Sequence, residues 1–181
     1  MIEIDYNSLG LSIIDDFISK EQESSILDII DDKKDRVSKR KDRNSIKRYG
    51  SDVPYRANMV SQTIPDYLDD IGLKIFESGL LKQKPDSISI NEYLVGQEIK
   101  PHIDSQSSGD IIVVLSLLSD AEMKFSRKDE SFIVEVKSKS LVVMKNDIRY
   151  KWMHSILPVK SKRYSIVFRC SKNQKSISKI Q

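Results

Sequence analysis

From Pro85 onward the chain is a succession of short runs rich in β-branched residues: Ser87 to Tyr93, Ile111 to Leu118, Glu122 to Ser126, Ser131 to Val136, Ser140 to Met144 and Arg163 to Arg169. Polar or glycine residues separate them. Short strands in such density cannot bury their faces one at a time; they need a second layer or a closed barrel. Ser87 to Tyr93 shows the two-residue period directly, with Ile88 and Ile90 on one face and Asn91 and Tyr93 on the other.

The residues before Pro85 read differently. Gly10 to Ile14 is a short strand. Ser19 then opens a helix, because Gln22 completes a Ser-x-x-Gln capping box and Ile26, Leu27 and Ile30 supply an apolar stripe. Tyr49-Gly50 marks a turn. Thr63 is expected to cap a second helix with Pro65 in its first turn, and Ile64, Tyr67, Leu68, Ile71 and Ile75 recur at a helical period up to Gly79. Helices followed by strands make this an α+β chain. The architecture expected is a sandwich or barrel such as a jelly roll, with the N-terminal helices packed on a mostly antiparallel sheet assembly.

At 181 residues, with 39% hydrophobic and 31% charged residues, the composition is that of a folded domain with its own core. A single domain over residues 1–170 is expected, followed by a basic, flexible tail over 171–181, in a protein that is a monomer. No apolar run approaches the roughly 20 residues that span a bilayer. Met1 to Gly10 carries neither a basic region nor an apolar one, so no secretory signal is expected. The single cysteine, Cys170, cannot form an intrachain disulfide. These features point to an intracellular protein of the cytoplasm or nucleus, with no membrane partner.

Net charge is only +3, but it is unevenly placed. Lys33 to Arg48 holds nine Lys or Arg against two Asp, and Lys172, Lys175 and Lys179 add a second basic segment. Such a run is either a solvated loop or a phosphate-binding surface, since clustered cations bind nucleic acid by displacing counterions.

The chain has two histidines, His102 and His154. In Pro101-His102-Ile103-Asp104 an extended backbone points His102 and Asp104 to the same side. A histidine from a facing strand would complete a set of two imidazoles and one carboxylate on one face of a metal ion. That set leaves positions open for other ligands, as non-haem iron oxygenases require. His-x-Asp alone occurs often by chance, and a surface histidine is its ordinary meaning. The rest of the pattern changes the balance. Arg163 and Arg169 stand six residues apart, on the same face of one strand, with Tyr164, Ile166 and Phe168 facing the other way into a core. Two guanidiniums on one buried face are costly unless a carboxylate ligand sits between them, where paired hydrogen bonds offset the desolvation.

Asn91-x-Tyr93-x-x-Gly96, His102-x-Asp104, His154 and Arg163-x5-Arg169 together resemble the AlkB-like family of Fe(II)/2-oxoglutarate-dependent dioxygenases. The stretch Lys84-Pro85-Asp86 through Asp104, and Arg149-Tyr150-Lys151-Trp152-Met153-His154, are similar to the AlkB-type domain of the eukaryotic tRNA wobble-uridine hydroxylase. Asp15-Asp16-Phe17-Ile18-Ser19 and Arg48-Tyr49-Gly50 agree more loosely. Val95 replaces a proline frequent before the motif glycine, which alters a turn. Ser165 stands where some members carry Asn, and its shorter side chain removes one hydrogen bond to the cosubstrate.

The resemblance implies a double-stranded β-helix, the jelly roll already expected. It implies that His102, Asp104 and His154 are catalytic and bind Fe(2+). It implies that Arg163, helped by Tyr93, holds the distal carboxylate of 2-oxoglutarate, with Asn91 and Arg169 near its metal-chelating end. Dioxygen is the second cosubstrate; succinate and carbon dioxide are released as a substrate C–H bond is hydroxylated. Where that carbon is bound to nitrogen, formaldehyde leaves and the net result is demethylation. The substrate expected is a base in alkylated DNA or RNA or in modified tRNA, displayed outside the stack against aromatic side chains. Tyr49, Tyr55 and Trp152 are the aromatic candidates and Lys39, Arg40 and Lys41 the phosphate-binding ones, although Trp152, so near His154, is better suited to core packing. A protein-directed dioxygenase on the same fold is the alternative. A dead binding module is disfavoured, because all three ligand positions and both arginines are present.

Overall fold

A computed structural model describes residues 6–32, 45–51 and 62–172. Its elements run α1 (Tyr6–Leu9), β1 (Leu11–Ile14), α2 (Lys20–Asp32), β2 (Ser45–Gly50), α3 (Asp66–Glu77), β3 (Ser87–Tyr93) and β4 (Ile99–His102). After a 3-10 turn at Gln106–Ser108 come β5 (Ile112–Leu117), β6 (Ala121–Arg127), β7 (Glu130–Val136), β8 (Leu141–Met144), α4 (Asn146–Tyr150), β9 (Met153–Ile156) and β10 (Arg163–Arg169).

The strands form two antiparallel sheets, a larger one in the order β1-β8-β5-β10-β3-β2 and a smaller one in the order β4-β9-β6-β7. This is the double-stranded β-helix, with α2 and α3 covering the outer face of the larger sheet. Two apolar layers follow from strand alternation. Ile88, Ile90, Leu115, Leu141, Ile166 and Phe168 turn outward against Ile26, Leu68, Ile71 and Ile75 of the helices. Tyr93, Ile112, Val142, Met144 and Val167 turn inward toward Met123, Phe125, Phe132 and Ile156 of the smaller sheet. Tyr164, Ile166 and Phe168 thus lie in core, as the alternation requires.

The capping box of α2 forms in both directions: Ser19 N–H donates to Gln22 Oε1 at 3.0 Å, and Gln22 N–H to Ser19 Oγ at 3.2 Å. Thr63 does not cap α3. Pro65 occupies the N-cap position without a side-chain bond, and its carbonyl accepts from Leu68 and Asp69. A proline biases the residue before it toward extended backbone, so Ile64 cannot extend the helix backward.

The basic run is not wholly a loop. Its last residues, including Lys47 and Arg48, belong to β2, paired with β3. Gly50 ends that strand with φ +76°, and a Cβ there would meet the Asp86 carbonyl oxygen at 2.1 Å, so only glycine fits. Lys39, Arg40, Lys41, Tyr55, Lys175 and Lys179 lie outside the described residues. Among the described residues no helix is long and apolar enough to cross a membrane.

Candidate metal and dicarboxylate site

His102 ends β4 and His154 lies in β9, and the two are register partners. Regular pairing from Ile99↔Ile156 would set His102 opposite Met153, on the outer face. A bulge between Ile99 and His102 shifts the register by one residue and turns His102 inward beside His154. The ring centroids come within 4.3 Å. Asp104 follows two residues later, and one ligand atom from each of His102, Asp104 and His154 lies within 4.8 Å of the others. His102 Nδ1 is 2.9 Å from the Lys100 carbonyl, which can only accept. The proton therefore sits on Nδ1, leaving the Nε2 lone pair for a metal.

The electrostatics suit a cation. Burial would raise the Asp104 carboxyl, but the charges of Arg169, His154, His102 and Arg149 outweigh it and hold the group below its ordinary range. Arg169 Nη2 is 3.1 Å from Asp104 Oδ1, and Arg169 Nη1 donates to Ser89 Oγ at 2.9 Å. Burial, with the neighbouring His102, pushes His154 down to about 4, so its ring is neutral and able to coordinate at neutral pH.

These groups line one cavity of about 1150 Å³ between the sheets. Arg163, Ser165 and Arg169 of β10, and Ser89, Asn91 and Tyr93 of β3, face into it. Val114, Met123, Val142 and Met144 give it apolar walls. Arg163 is 1% exposed. Its Nη2 donates to Ser116 Oγ at 2.7 Å and its guanidinium lies 5.0 Å from the Tyr93 ring centroid. Its Nε and Nη1 are buried without partners. Among the described residues no carboxylate pairs with it. A buried cation with two unused donors, facing a polar floor, fits a ligand carboxylate. Asn91 Nδ2 donates to Ser165 Oγ at 3.3 Å, so the shorter Ser165 still engages this floor.

Two aromatic candidates fall elsewhere. Trp152 is 2% exposed and packs on Phe132, centroids 5.2 Å apart, with the Arg127 guanidinium over its ring. It belongs to the core between the sheets and does not line the cavity. Tyr49 is likewise buried in the helix-side core, because it alternates with Arg48, which does face the cavity. The sequence pattern gave no sign of Ser89, Lys100 and Glu98 as lining groups, of Ser116 as the partner of Arg163, or of Arg149 as more than part of a motif. Isolated serines and charges carry no spacing signal of their own.

A family model described as the 2OG-Fe(II) oxygenase superfamily matches residues 33–176. The tRNA (carboxymethyluridine(34)-5-O)-methyltransferase alkbh8 of Xenopus tropicalis is 36% identical over 160 residues, 83% of this chain but 26% of that protein. The chain thus spans about a quarter of that relative's length. An uncharacterized protein, L905, of Acanthamoeba polyphaga mimivirus is 32% identical over 85% of this chain and 76% of its own length. Among solved structures, OsALKBH1 superposes with a TM-score of 0.67 at 14% identity, covering 88% of this chain and 97% of that one, a likeness of fold.

Proposed function

The chain belongs to the 2OG-Fe(II) oxygenase superfamily, with AlkB-like relatives, and from that premise we propose that it is an Fe(II)/2-oxoglutarate-dependent dioxygenase acting on a nucleic-acid base. One observation carries the reaction class: the buried guanidinium of Arg163, with Nε and Nη1 left without partners, shares a cavity with the His102, Asp104 and His154 cluster. A dicarboxylate reaching from one to the other satisfies both. Ferrous iron with 2-oxoglutarate supplies the oxidation of a substrate C–H bond by dioxygen, with succinate and carbon dioxide as co-products.

The residues of the chain do the rest. His102, Asp104 and His154 would hold the metal. Arg163 and Tyr93 anchor the distal carboxylate, and Asn91, Ser165 and Arg169 border its other end. The apolar walls exclude water from the reacting carbon. Arg48 lines the same cavity and adds positive charge to the path of an anionic strand. The basic run before Arg48 and the tRNA enzyme among the relatives support a nucleic-acid substrate.

The test is mass spectrometry of total tRNA and of alkylated oligonucleotides after incubation with the protein, Fe(II) and 2-oxoglutarate. A new hydroxylated or demethylated nucleoside is expected in wild type and absent in His102→Ala, Asp104→Ala and His154→Ala, each of which keeps its fold. Any of the three that oxidises 2-oxoglutarate at the wild-type rate leaves the metal set. Succinate formation without any nucleoside change, stimulated instead by a protein, would move the substrate to the protein class.

A further inference from the structure

Arg149 lies in α4 and is 2% exposed. A guanidinium buried to that degree ordinarily pairs with a carboxylate. Arg149 instead donates to three backbone carbonyls of one loop: Nε to Gly109 at 3.2 Å, Nη1 to Asp104 at 3.0 Å and Nη2 to Ser105 at 2.5 Å. That loop carries Asp104 away from β4 and returns the chain to β5. Arg149 therefore ties its first residues to its last.

Other contacts close the far part of the loop. Lys172 N–H donates to the Ser107 carbonyl at 3.1 Å, and Tyr150 and Lys172 both reach Asp110. Gly109, at φ +84°, lets the Cys170 carbonyl approach where a Cβ would stand, 2.2 Å away. Of these contacts, only those of Arg149 reach the peptide of Asp104. The carboxylate end of Asp104 is met by Arg169.

We propose that Arg149 is a positioning residue for the metal site, fixing the peptide of Asp104 so that its carboxylate faces His102 and His154 before any metal arrives. The chemistry suits arginine. A rigid fork of five donors meets three divergent carbonyls at once, whereas an ammonium on a flexible stem reaches only some of them. Carbonyls also leave the carboxylate of Asp104 uncommitted to Arg149, which a direct ion pair would not. The inference rests on Asp104 being a ligand.

The experiment is a Co(II) titration of the tag-free, metal-free full chain, followed by visible ligand-field absorption, in wild type, Arg149→Met, Arg149→Lys and Asp104→Ala. Loss of a group that orients a metal ligand lowers metal affinity by about 10- to 100-fold. That loss is expected for Arg149→Met, with an altered Co(II) spectrum, unchanged far-ultraviolet circular dichroism and partial recovery in Arg149→Lys. Hydrogen exchange of the wild-type loop, residues 104–109, should show equal protection with and without Co(II). Wild-type Co(II) affinity and spectrum in Arg149→Met, with affinity lost in Asp104→Ala, overturns this inference alone. Wild-type affinity in Asp104→Ala overturns the ligand assignment and this inference with it. Should Arg149→Met not fold, the exchange measurement decides: a loop protected only when Co(II) is bound is organised by the metal, and the proposal fails.

Discussion

Arg169 and Asp104 form an ion pair with Nη2 3.1 Å from Oδ1, between side chains only 19% and 11% exposed. The pair joins the end of β10 to the carboxylate that faces His102 and His154, so one guanidinium both orients Asp104 and keeps it ionised against the effect of its burial. Arg169→Met removes both influences. Metal affinity is expected to fall relative to wild type, and the deficit to widen as pH drops from 7 toward 5, because the variant carboxyl holds its proton at higher pH and the metal must displace it. Metal titrations of both proteins at the two pH values check this. A deficit independent of pH would mean that the pair acts by orientation alone.

Arg163 offers a different signature. Replacing it with Met removes the charged partner proposed for the distal carboxylate of 2-oxoglutarate, and truncating one member of such a buried pair costs about 2–5 kcal/mol of binding. The 2-oxoglutarate requirement should rise at least tenfold, with Arg163→Lys recovering only part. Yet the metal-free, cosubstrate-free Arg163→Met protein should be at least as stable as wild type, since it no longer buries an unpaired cation. Steady-state kinetics and thermal unfolding read the two effects separately. An unchanged 2-oxoglutarate dependence removes Arg163 from the site, and a large loss of stability would make its role structural.

How much of this is legible in the sequence depends on the kind of signal. β3 and β10 are readable residue by residue, because one face is core and the other lines the cavity, giving strict alternation in both. His102 is readable only through its motif. Counting by twos from the inward Ile99 points it outward, and the bulge that turns it back leaves no mark in the sequence. Tyr49 shows the opposite failure: an aromatic near a motif looks like a substrate platform, but which way it faces is set by packing on the helices, whereas Trp152 lies in core against Phe132, the reading its nearness to His154 favoured. Arg149 stands in a recognisable motif without a legible role. Its partners are carbonyls of a distant loop, and backbone acceptors have no residue identity to read.

His154 makes the metal-free protein acid-sensitive. Its pKa in the fold is about 4, below the ordinary 6.5, with burial the main cause. The unfolded chain therefore takes up a proton as pH falls below 6.5 while the folded chain does not. Stability is expected to decline from pH 6.5 to 4 and then to level off for this group. Asp104, held below its ordinary value of 3.8, withdraws its contribution only at still lower pH. Denaturant midpoints of metal-free wild type and His154→Gln across this range make the comparison, and the variant should show the flatter profile. Bound metal should hold wild type up over the upper part of the range, because it binds the neutral ring of the folded state alone. Equal slopes in wild type and variant would remove His154 as the source.

The basic run tests the substrate class. Lys39, Arg40 and Lys41 precede β2, whose Arg48 faces the cavity. Suppose these lysines and arginine bind the phosphates of a strand whose base enters the cavity. Then Lys39→Ala, Arg40→Ala and Lys41→Ala combined should weaken binding about equally for all sequences, since phosphates carry no base identity. The dependence of log affinity on log salt should flatten by roughly 0.7 to 0.9 for each phosphate that the variant no longer neutralises. Oxidation of 2-oxoglutarate without substrate should continue at the wild-type rate, because the groups proposed to bind metal and cosubstrate lie on β3, β4, β9 and β10 and in the loop after β4. A run that only keeps the protein soluble predicts the same salt slope in the triple variant as in wild type. Fluorescence anisotropy with labelled tRNA and single-stranded DNA, at several salt concentrations, separates the two. Wild type that binds neither polymer would set nucleic acid aside and favour a protein substrate for the same metal site.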